Sequence, residues 1–273
     1  TEWEETGAKR NGQPLVRVKA FRMRALPLFL EGVVHAMRSE TDPDKVRRMH
    51  QAVLSSGLYD QKLKMFKVNA SIEQEGYELG RNRAFPSGWL ENESICHHME
   101  YKYLLELARK GLYEEYFEAA KTALVFQLDP NVYGRSILEN SSFICSSAFY
   151  DESRHGRGYY ARLSGSTAEF VHLWLLMVVG ANPFQVDAVG NLSLTFAPAI
   201  PSDYFTVRPE NAVYHDASGR ECLLDVPAHA FAFRFLGRIP VIYRNPGRVD
   251  TWGKSARITG IKVFALDGTV LHA

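Results

Sequence analysis

Four short stretches of this 273-residue sequence gather residue types that do chemistry. The first is Arg162-Leu163-Ser164-Gly165-Ser166-Thr167-Ala168-Glu169, small hydroxyl residues and a glycine ahead of a long apolar run. The first four backbone N–H groups of a helix have no internal partner. With the helix dipole they attract an anion, and a glycine lets that anion approach the backbone closely. The same residues also read as a plain helix cap, with Ser166 and Glu169 as a capping box.

The second stretch is Glu91-Asn92-Glu93-Ser94-Ile95-Cys96-His97-His98, two carboxylates and two imidazoles at a helix start. A histidine here can donate to an oxyanion, and a carboxylate can hold sugar hydroxyls or act as an acid. A metal site is disfavoured, because the HExxH spacing is missing. The alternative is a solvated helix start with one histidine in the core. The third stretch, Gly76-Tyr77-Glu78-Leu79-Gly80-Arg81-Asn82-Arg83, looks superficially like a phosphate loop. It lacks GK[ST] and follows no strand, so it is not a P-loop; Arg81 and Arg83 face either a polar cleft or solvent. The fourth runs from His155 to Arg162 and holds Tyr159 and Tyr160. Tyrosines beside arginines suit a sugar-binding rim or an ordinary interface.

The elements that must position these residues are mostly helices at first. Residues 21–37 are apolar at helical spacing, with Pro27 as a kink or break. Asp42-Pro43-Asp44 predicts an N-cap and a helix to about Ser55. Residues 71–90 predict a long loop. Helices follow over 94–109, ended by Gly111, and over 113–126; Asp129-Pro130-Asn131 predicts a turn. The apolar, serine-rich residues 137–149 are read as a helix, and 164–179 as a buried one. After Asn182-Pro183 alternation takes over, in Leu192/Leu194/Phe196 and Phe231/Phe233/Phe235. Residues 239–243 and 258–264 are β-branched runs, and Asp267-Gly268 is a hairpin signal. The reading is thus α then β: a helical region over 1–185 and an antiparallel β-domain over 186–273.

Composition narrows the function. Lys+Arg number 32 against Asp+Glu 31, a net charge of +1, which gives no electrostatic case for nucleic acid or an anionic membrane. The three cysteines, Cys96, Cys145 and Cys222, are scattered and form no CxxC, so a disulfide framework is not expected and a cytoplasmic location is. The longest apolar run, 173–181, is about half the ~20 residues needed to cross a bilayer. A chain that opens on Thr1 rather than Met reads as a piece of something longer.

Taken in order, these segments resemble the inverting disaccharide phosphorylases, the group holding cellobiose, chitobiose and laminaribiose phosphorylases. Glu91-Asn92 followed by Ile95 and His98 resembles their E-N-G-G-I-F-x-H signature. Leu163-Ser164-Gly165-Ser166 resembles their L-T-G-T/S segment at the head of a long helix. Phe196-Ala197-Pro198-Ala199-Ile200-Pro201 resembles the "DPCIP" entry to their C-terminal β-domain, and residues 263–268 resemble a closing V-x-L-D-G. The likeness runs from about residue 58 to the C-terminus.

The resemblance implies part of an (α/α)6 toroid over 1–185 and a jelly-roll-like β-sandwich over 186–273. It implies no cofactor, with inorganic phosphate as a substrate. His98, Ser164 and Gly165 would bind that phosphate, and Glu91 and Asn92 the sugar. A β-linked disaccharide or oligosaccharide would be cleaved to α-glucose 1-phosphate. The family's acid lies in an upstream D-W-N-D motif that this chain lacks, so no catalytic residue is assigned and the isolated chain is expected to be inactive. The rest of the toroid would come from an upstream segment or a second chain, and a homodimer is one assembly it allows. Ser164 stands where Thr is usual, Glu93-Ser94 replaces Gly-Gly, and Leu90 stands where Lys is common. These departures bear on acceptor choice and leave a β-1,3-glucan phosphorylase branch open. Two other readings compete. An inverting hydrolase on the same toroid would use Glu91 or Glu93 to activate water, and a non-catalytic carbohydrate-binding fragment would ignore phosphate.

Overall fold

The structure, a computed structural model, describes residues 2–21, 23–160, 165–216, 218–253, 256–265 and 269–272. It is a mixed α/β chain: helices dominate the first two thirds and antiparallel hairpins the last.

The chain opens on a hairpin, β1 (Glu2–Arg10) and β2 (Gln13–Ala20), that the helical reading of residues 1–185 passed over. Asn11-Gly12 makes its turn, with φ of +54° and +80°. A two-residue turn with both φ values positive matches the twist of paired strands, and Asn-Gly is the pair that adopts it most readily.

The expected helix over 21–37 is shorter and later. It is α1 (Leu30–Ser39), with Leu30, Val34 and Met37 buried at helical spacing. Pro27 disfavours helical backbone at the residue before it, and residues 23–28 take no helix. Next, α2 (Pro43–Leu54) begins as its sequence says: Asp42 accepts the Asp44 N–H at 2.9 Å, with Pro43 in the first turn. A short hairpin follows, β3 (Tyr59–Asp60) with β4 (Met65–Phe66). The expected loop over 71–90 contains a 3-10 segment, Tyr77–Ala84, broken at Gly80.

The middle strand pair explains two displaced boundaries. β5 (Ile95–Cys96) precedes α3 (His97–Arg109), so the helix expected from residue 94 starts at His97. After α4 (Tyr113–Ala123) and the one-turn α5 (Pro130–Tyr133), residues 137–149 do not form the expected helix. They hold β6 (Phe143–Ile144), the middle strand of a sheet whose edges are β5 and β7 (Gly158–Tyr159). Serines compete with helix by bonding locally. Here Ser141 lies buried against the Tyr133 hydroxyl at 2.7 Å, and Ser146 Oγ accepts the Ala148 N–H.

α6 (Gly165–Val178) is the long helix expected over 164–179. It is buried on one side only; Val171 and Leu175 are exposed. The hairpins then follow: β8 (Phe184–Val186) with β9 (Leu192–Leu194), β10 (Glu210–His215) with β11 (Glu221–Val226), β12 (Ala230–Phe235) with β13 (Ile239–Arg244), and β14 (Val263–Phe264) with β15 (Val270–His272). The run 258–264 thus yields only a two-residue strand, and the Asp267-Gly268 turn lies outside the described residues.

One hydrophobic core joins these parts. α3 is its axis, packed against α1, α4 and α6, with Tyr101, Tyr103, Leu104 and Leu107 fully buried. Ile200, Phe205, Phe233 and Phe235 belong to the same core. Two further contacts reinforce the junction: the Tyr243 hydroxyl donates to the Val178 carbonyl at 2.6 Å, and Trp252 stacks on Phe117 at 5.2 Å. This packing holds the starts of α3 and α6 side by side. No helix is long and apolar enough to cross a membrane among the described residues.

Candidate functional site

His98 is the second residue of α3 and Gly165 the first of α6, 67 positions apart in sequence. The fold presses them together. A Cβ on Gly165 would lie 2.5 Å from His98 Nδ1, 2.6 Å from Cε1 and 2.8 Å from Cγ. Any side chain here would crowd the imidazole where it now stands. Two of the three residues expected to bind an anion are therefore neighbours; the third, Ser164, lies outside the described residues, as do Arg162 and Leu163.

Ser166 occupies the first turn of α6, is buried, and its Oγ has no hydrogen-bond partner among the described residues. Glu169 turns to the histidines instead: Oε1 is 3.8 Å from His98 Nε2, and Oε2 is 3.9 Å from His172 Nδ1. The capping-box alternative is thus not realised. A box needs Ser166 at the cap, bonded to a backbone N–H; here it is inside the helix, and its hydroxyl is unpaired.

His98 keeps about a third of its side chain exposed. Burial pushes its pKa below the usual 6.5, the Lys102 ammonium adds to that, and Glu169 and Glu31 oppose it. Lys102 is itself held by Glu31 of α1 at 3.0 Å. The neighbouring His97 has the structural role that one of the two histidines was expected to take. It is fully buried, stacks on Tyr101 at 4.8 Å, and burial pushes its pKa down to about 4.

The Glu91 loop is organised by ion pairs. Arg81 grips Glu91 with a fork, Nε to Oε2 at 2.9 Å and Nη2 to Oε1 at 2.6 Å. Arg81 thus faces the Glu91 loop and leaves most of its own side chain in solvent. Glu93, with φ +56°, pairs with Lys67 at 2.9 Å in a nearly buried contact, and its N–H donates to Asn69 Oδ1 at 2.7 Å. Asn92 points inward: its Nδ2 donates to the Phe85 carbonyl at 2.8 Å, and its Oδ1 is buried without a partner among the described residues. Leu90, at φ +50°, and Glu91 form the tip of a tight turn between Trp89 and Asn92.

Trp89 ties this turn to the tyrosine stretch. Its indole meets Tyr159 edge-on at 4.5 Å and Phe149 at 5.8 Å. Tyr160, at φ +59°, is exposed. Trp89 and Tyr159 are each half-buried; aromatic rings beside a paired carboxylate are chemistry that sugar recognition uses, an apolar face next to fixed acceptors for hydroxyls.

Sequence reasoning passed over Glu169 as a partner for histidine, together with His172, whose Nε2 is 3.3 Å from Arg109 Nη2. The available signal was spacing: Glu169 follows Gly165 by four, one helical turn along the same face. It also left out Glu100, buried in α3. Glu100 Oε1 accepts the Phe66 N–H at 2.9 Å, Oε2 has no partner among the described residues, and burial pushes the carboxyl up to about 8. Among the described residues, no group of three or more His, Cys, Asp or Glu is placed to hold a metal ion. No protein-family model matches this chain, and no curated protein matches it.

Proposed function

We propose that this chain is the phosphate- and sugar-binding portion of an inverting β-glucoside phosphorylase. The observation that supports this most is the contact of His98 with Gly165 at the head of α6. His98 and the first turn of α6, far apart in sequence, are brought into contact. That combination suits an oxyanion. In the reaction, an acid protonates the leaving glycosidic oxygen while a phosphate oxygen attacks the anomeric carbon from the opposite face. The carbon–oxygen bond breaks with inversion, giving α-glucose 1-phosphate and a shortened saccharide. Phosphate arrives already charged, so the base of an inverting hydrolase is replaced by an anion site.

On this reading the helices are part of an (α/α)6 toroid and the hairpins are part of a β-sandwich. The acid comes from a segment preceding the matched motifs, and the protein works in the cytoplasm. Glu91, oriented by Arg81, contacts the sugar in the acceptor subsite, and Asn92 shapes the turn that carries it.

The hydrolase alternative needs a carboxylate free to activate water. Both oxygens of Glu91 are engaged by Arg81, and Glu93 is held by Lys67, which favours the phosphorylase reading. The test is product analysis with the complete protein that contains this chain, on β-1,3- and β-1,4-linked glucose disaccharides. Phosphate-dependent release of α-glucose 1-phosphate is expected. Release of free glucose alone, at a rate indifferent to phosphate, contradicts the proposal.

A further inference from the structure

Resting on the sugar-binding reading, we propose that Trp89, Phe149, Tyr150 and Tyr159 form an aromatic row that carries a β-linked glucose oligosaccharide outward from Glu91, so that the site prefers a chain of three or more sugar units to a disaccharide. The row is continuous. Trp89 stands two residues before Glu91 in the same tight turn. Its indole meets Tyr159 at 4.5 Å and Phe149 at 5.8 Å, and Phe149 meets Tyr150 at 4.4 Å. Trp89, Phe149 and Tyr159 are half-buried, whereas Tyr150 is 83% exposed. A lone exposed ring is ordinary surface, but rings in mutual contact that end in solvent make a patch, and such patches mark binding sites.

The rings are held from behind, by the loops that carry them. Gly88, at φ +80°, lies against the backbone of Phe149: a Cβ there would be 2.3 Å from Phe149 N and 2.8 Å from its Cα. The Ser146 N–H donates to the Gly88 carbonyl at 3.1 Å. His155 Nε2 donates to the Phe149 carbonyl at 2.8 Å, and Asp60 takes both the N–H and the hydroxyl of Ser147 at 2.7 Å. The Glu91 turn and the loop bearing Phe149 and Tyr150 are therefore one docked unit. A surface fixed in advance loses little freedom when a ligand settles on it.

The charges around the row say what kind of ligand it takes. Glu91 is paired with Arg81, Asp151 with Arg154 at 3.3 Å, and Glu152 with Lys62 at 3.3 Å. Arg154 also reaches the Tyr159 hydroxyl at 3.4 Å. Charges satisfied by one another offer no net attraction to an anionic or a cationic partner. They still present oxygens and N–H groups in fixed places beside apolar ring faces. A neutral molecule with apolar faces and many hydroxyls matches that arrangement, and a glucose chain is such a molecule. A disaccharide held at Glu91 and Trp89 would leave Tyr150, two ring contacts farther on, uncovered; a longer chain reaches it.

Calorimetry without phosphate tests this, using β-1,3- and β-1,4-linked glucose oligosaccharides from the disaccharide to the hexasaccharide. The proteins are the wild type, Tyr150→Ala and Tyr150→Phe. The readout is the ratio of the affinity for the longer chains to that for the disaccharide. In the wild type this ratio should be well above one for one linkage series. Loss of one aromatic contact should lower it by roughly threefold to tenfold in Tyr150→Ala. Tyr150→Phe keeps the ring and should keep the ratio. The exposure of Tyr150 makes a folding defect an unlikely source of the change, and a urea midpoint for each variant checks that. Equal affinity for all lengths in the wild type overturns the proposal while leaving sugar binding at Glu91 in place. A ratio that survives Tyr150→Ala overturns the row. Binding of no saccharide at all overturns the sugar-binding reading along with it.

Discussion

Gly165→Ala separates a crowded helix start from an anion site. The new methyl would sit 2.5 to 2.8 Å from three atoms of the His98 ring, where ordinary contact begins near 3.4 Å. The ring must retreat by roughly 1 Å. It can, because it is a partly exposed side chain near the start of α3 and not a buried wall. The fold should therefore survive, with a change in stability of about 1 kcal/mol or less. Anion binding should not survive intact. A hydrogen bond to a charged group contributes about 1.5–3 kcal/mol, and displacing the donor by 1 Å forfeits most of it. The expected result is at least a tenfold loss of phosphate affinity by calorimetry, with a urea midpoint close to wild type. Gly165→Ala binding phosphate as tightly as the wild type would refute the idea that His98 and the head of α6 act together. A collapse of stability by several kcal/mol would show that the contact is structural.

Other outcomes follow from buried groups. The folded-state pKa of Glu100 is raised from 4.5 to about 8, so its favourable contribution is fully present below pH 4.5 and is lost as the pH rises through 8. His97 acts in the opposite sense: its pKa is depressed from 6.5 to about 4, so its contribution is present above 6.5 and is lost as the pH falls through 4. The two slopes oppose each other between pH 4.5 and 6.5. Glu100→Gln should unmask the His97 slope there and raise stability at pH 7 by on the order of 3 kcal/mol, at ~1.4 kcal/mol per pH unit above 4.5. Denaturant unfolding at pH 5, 6, 7 and 8 checks this; parallel pH profiles for wild type and variant would contradict it. Asp60 accepts from Lys62 N, Leu63 N, Ser147 N and Ser147 Oγ at 2.7–3.0 Å, so Asp60→Asn turns an amide toward donors. It should cost about 2–3 kcal/mol in the same assay, and a loss under 0.5 kcal/mol would mean that the loop rearranges without it.

Much of the fold was legible where local chemistry and burial agree. Asp42-Pro43-Asp44 specified the start of α2 because the cap bond is made within three residues. Phe231, Phe233 and Phe235 specified β12 because alternation is the strand's own period. Gly111, at φ +72°, ended α3 as read. Reading failed where the decisive partner is distant. Ile144 looks like part of an apolar helix until Ile95 and Gly158 are seen on either side of it. The opening hairpin carries a local signal of its own, Asn11-Gly12, with the alternating Val16 and Val18 beside it.

The same distinction holds for the site. Residue type pointed to Gly165 and left His97 and His98 open; the resemblance singled out His98, and the contact of the two rests on the packing of α3 against α6. Ser166 and Glu169 looked like a cap because spacing alone cannot tell a residue at the cap from one inside the first turn. Arg81 and Glu91, ten residues apart, were read separately. Only the turn at Leu90 brings the carboxylate back to the guanidinium.

The central claim is that an anion binds where His98 meets the head of α6, and calorimetry with inorganic phosphate on the wild type and His98→Ala tests it most directly. The account predicts measurable binding to the wild type, stronger at pH 6 than at pH 8, and its loss in His98→Ala with the fold intact. Equal binding by both forms, or none by the wild type at either pH, would contradict it.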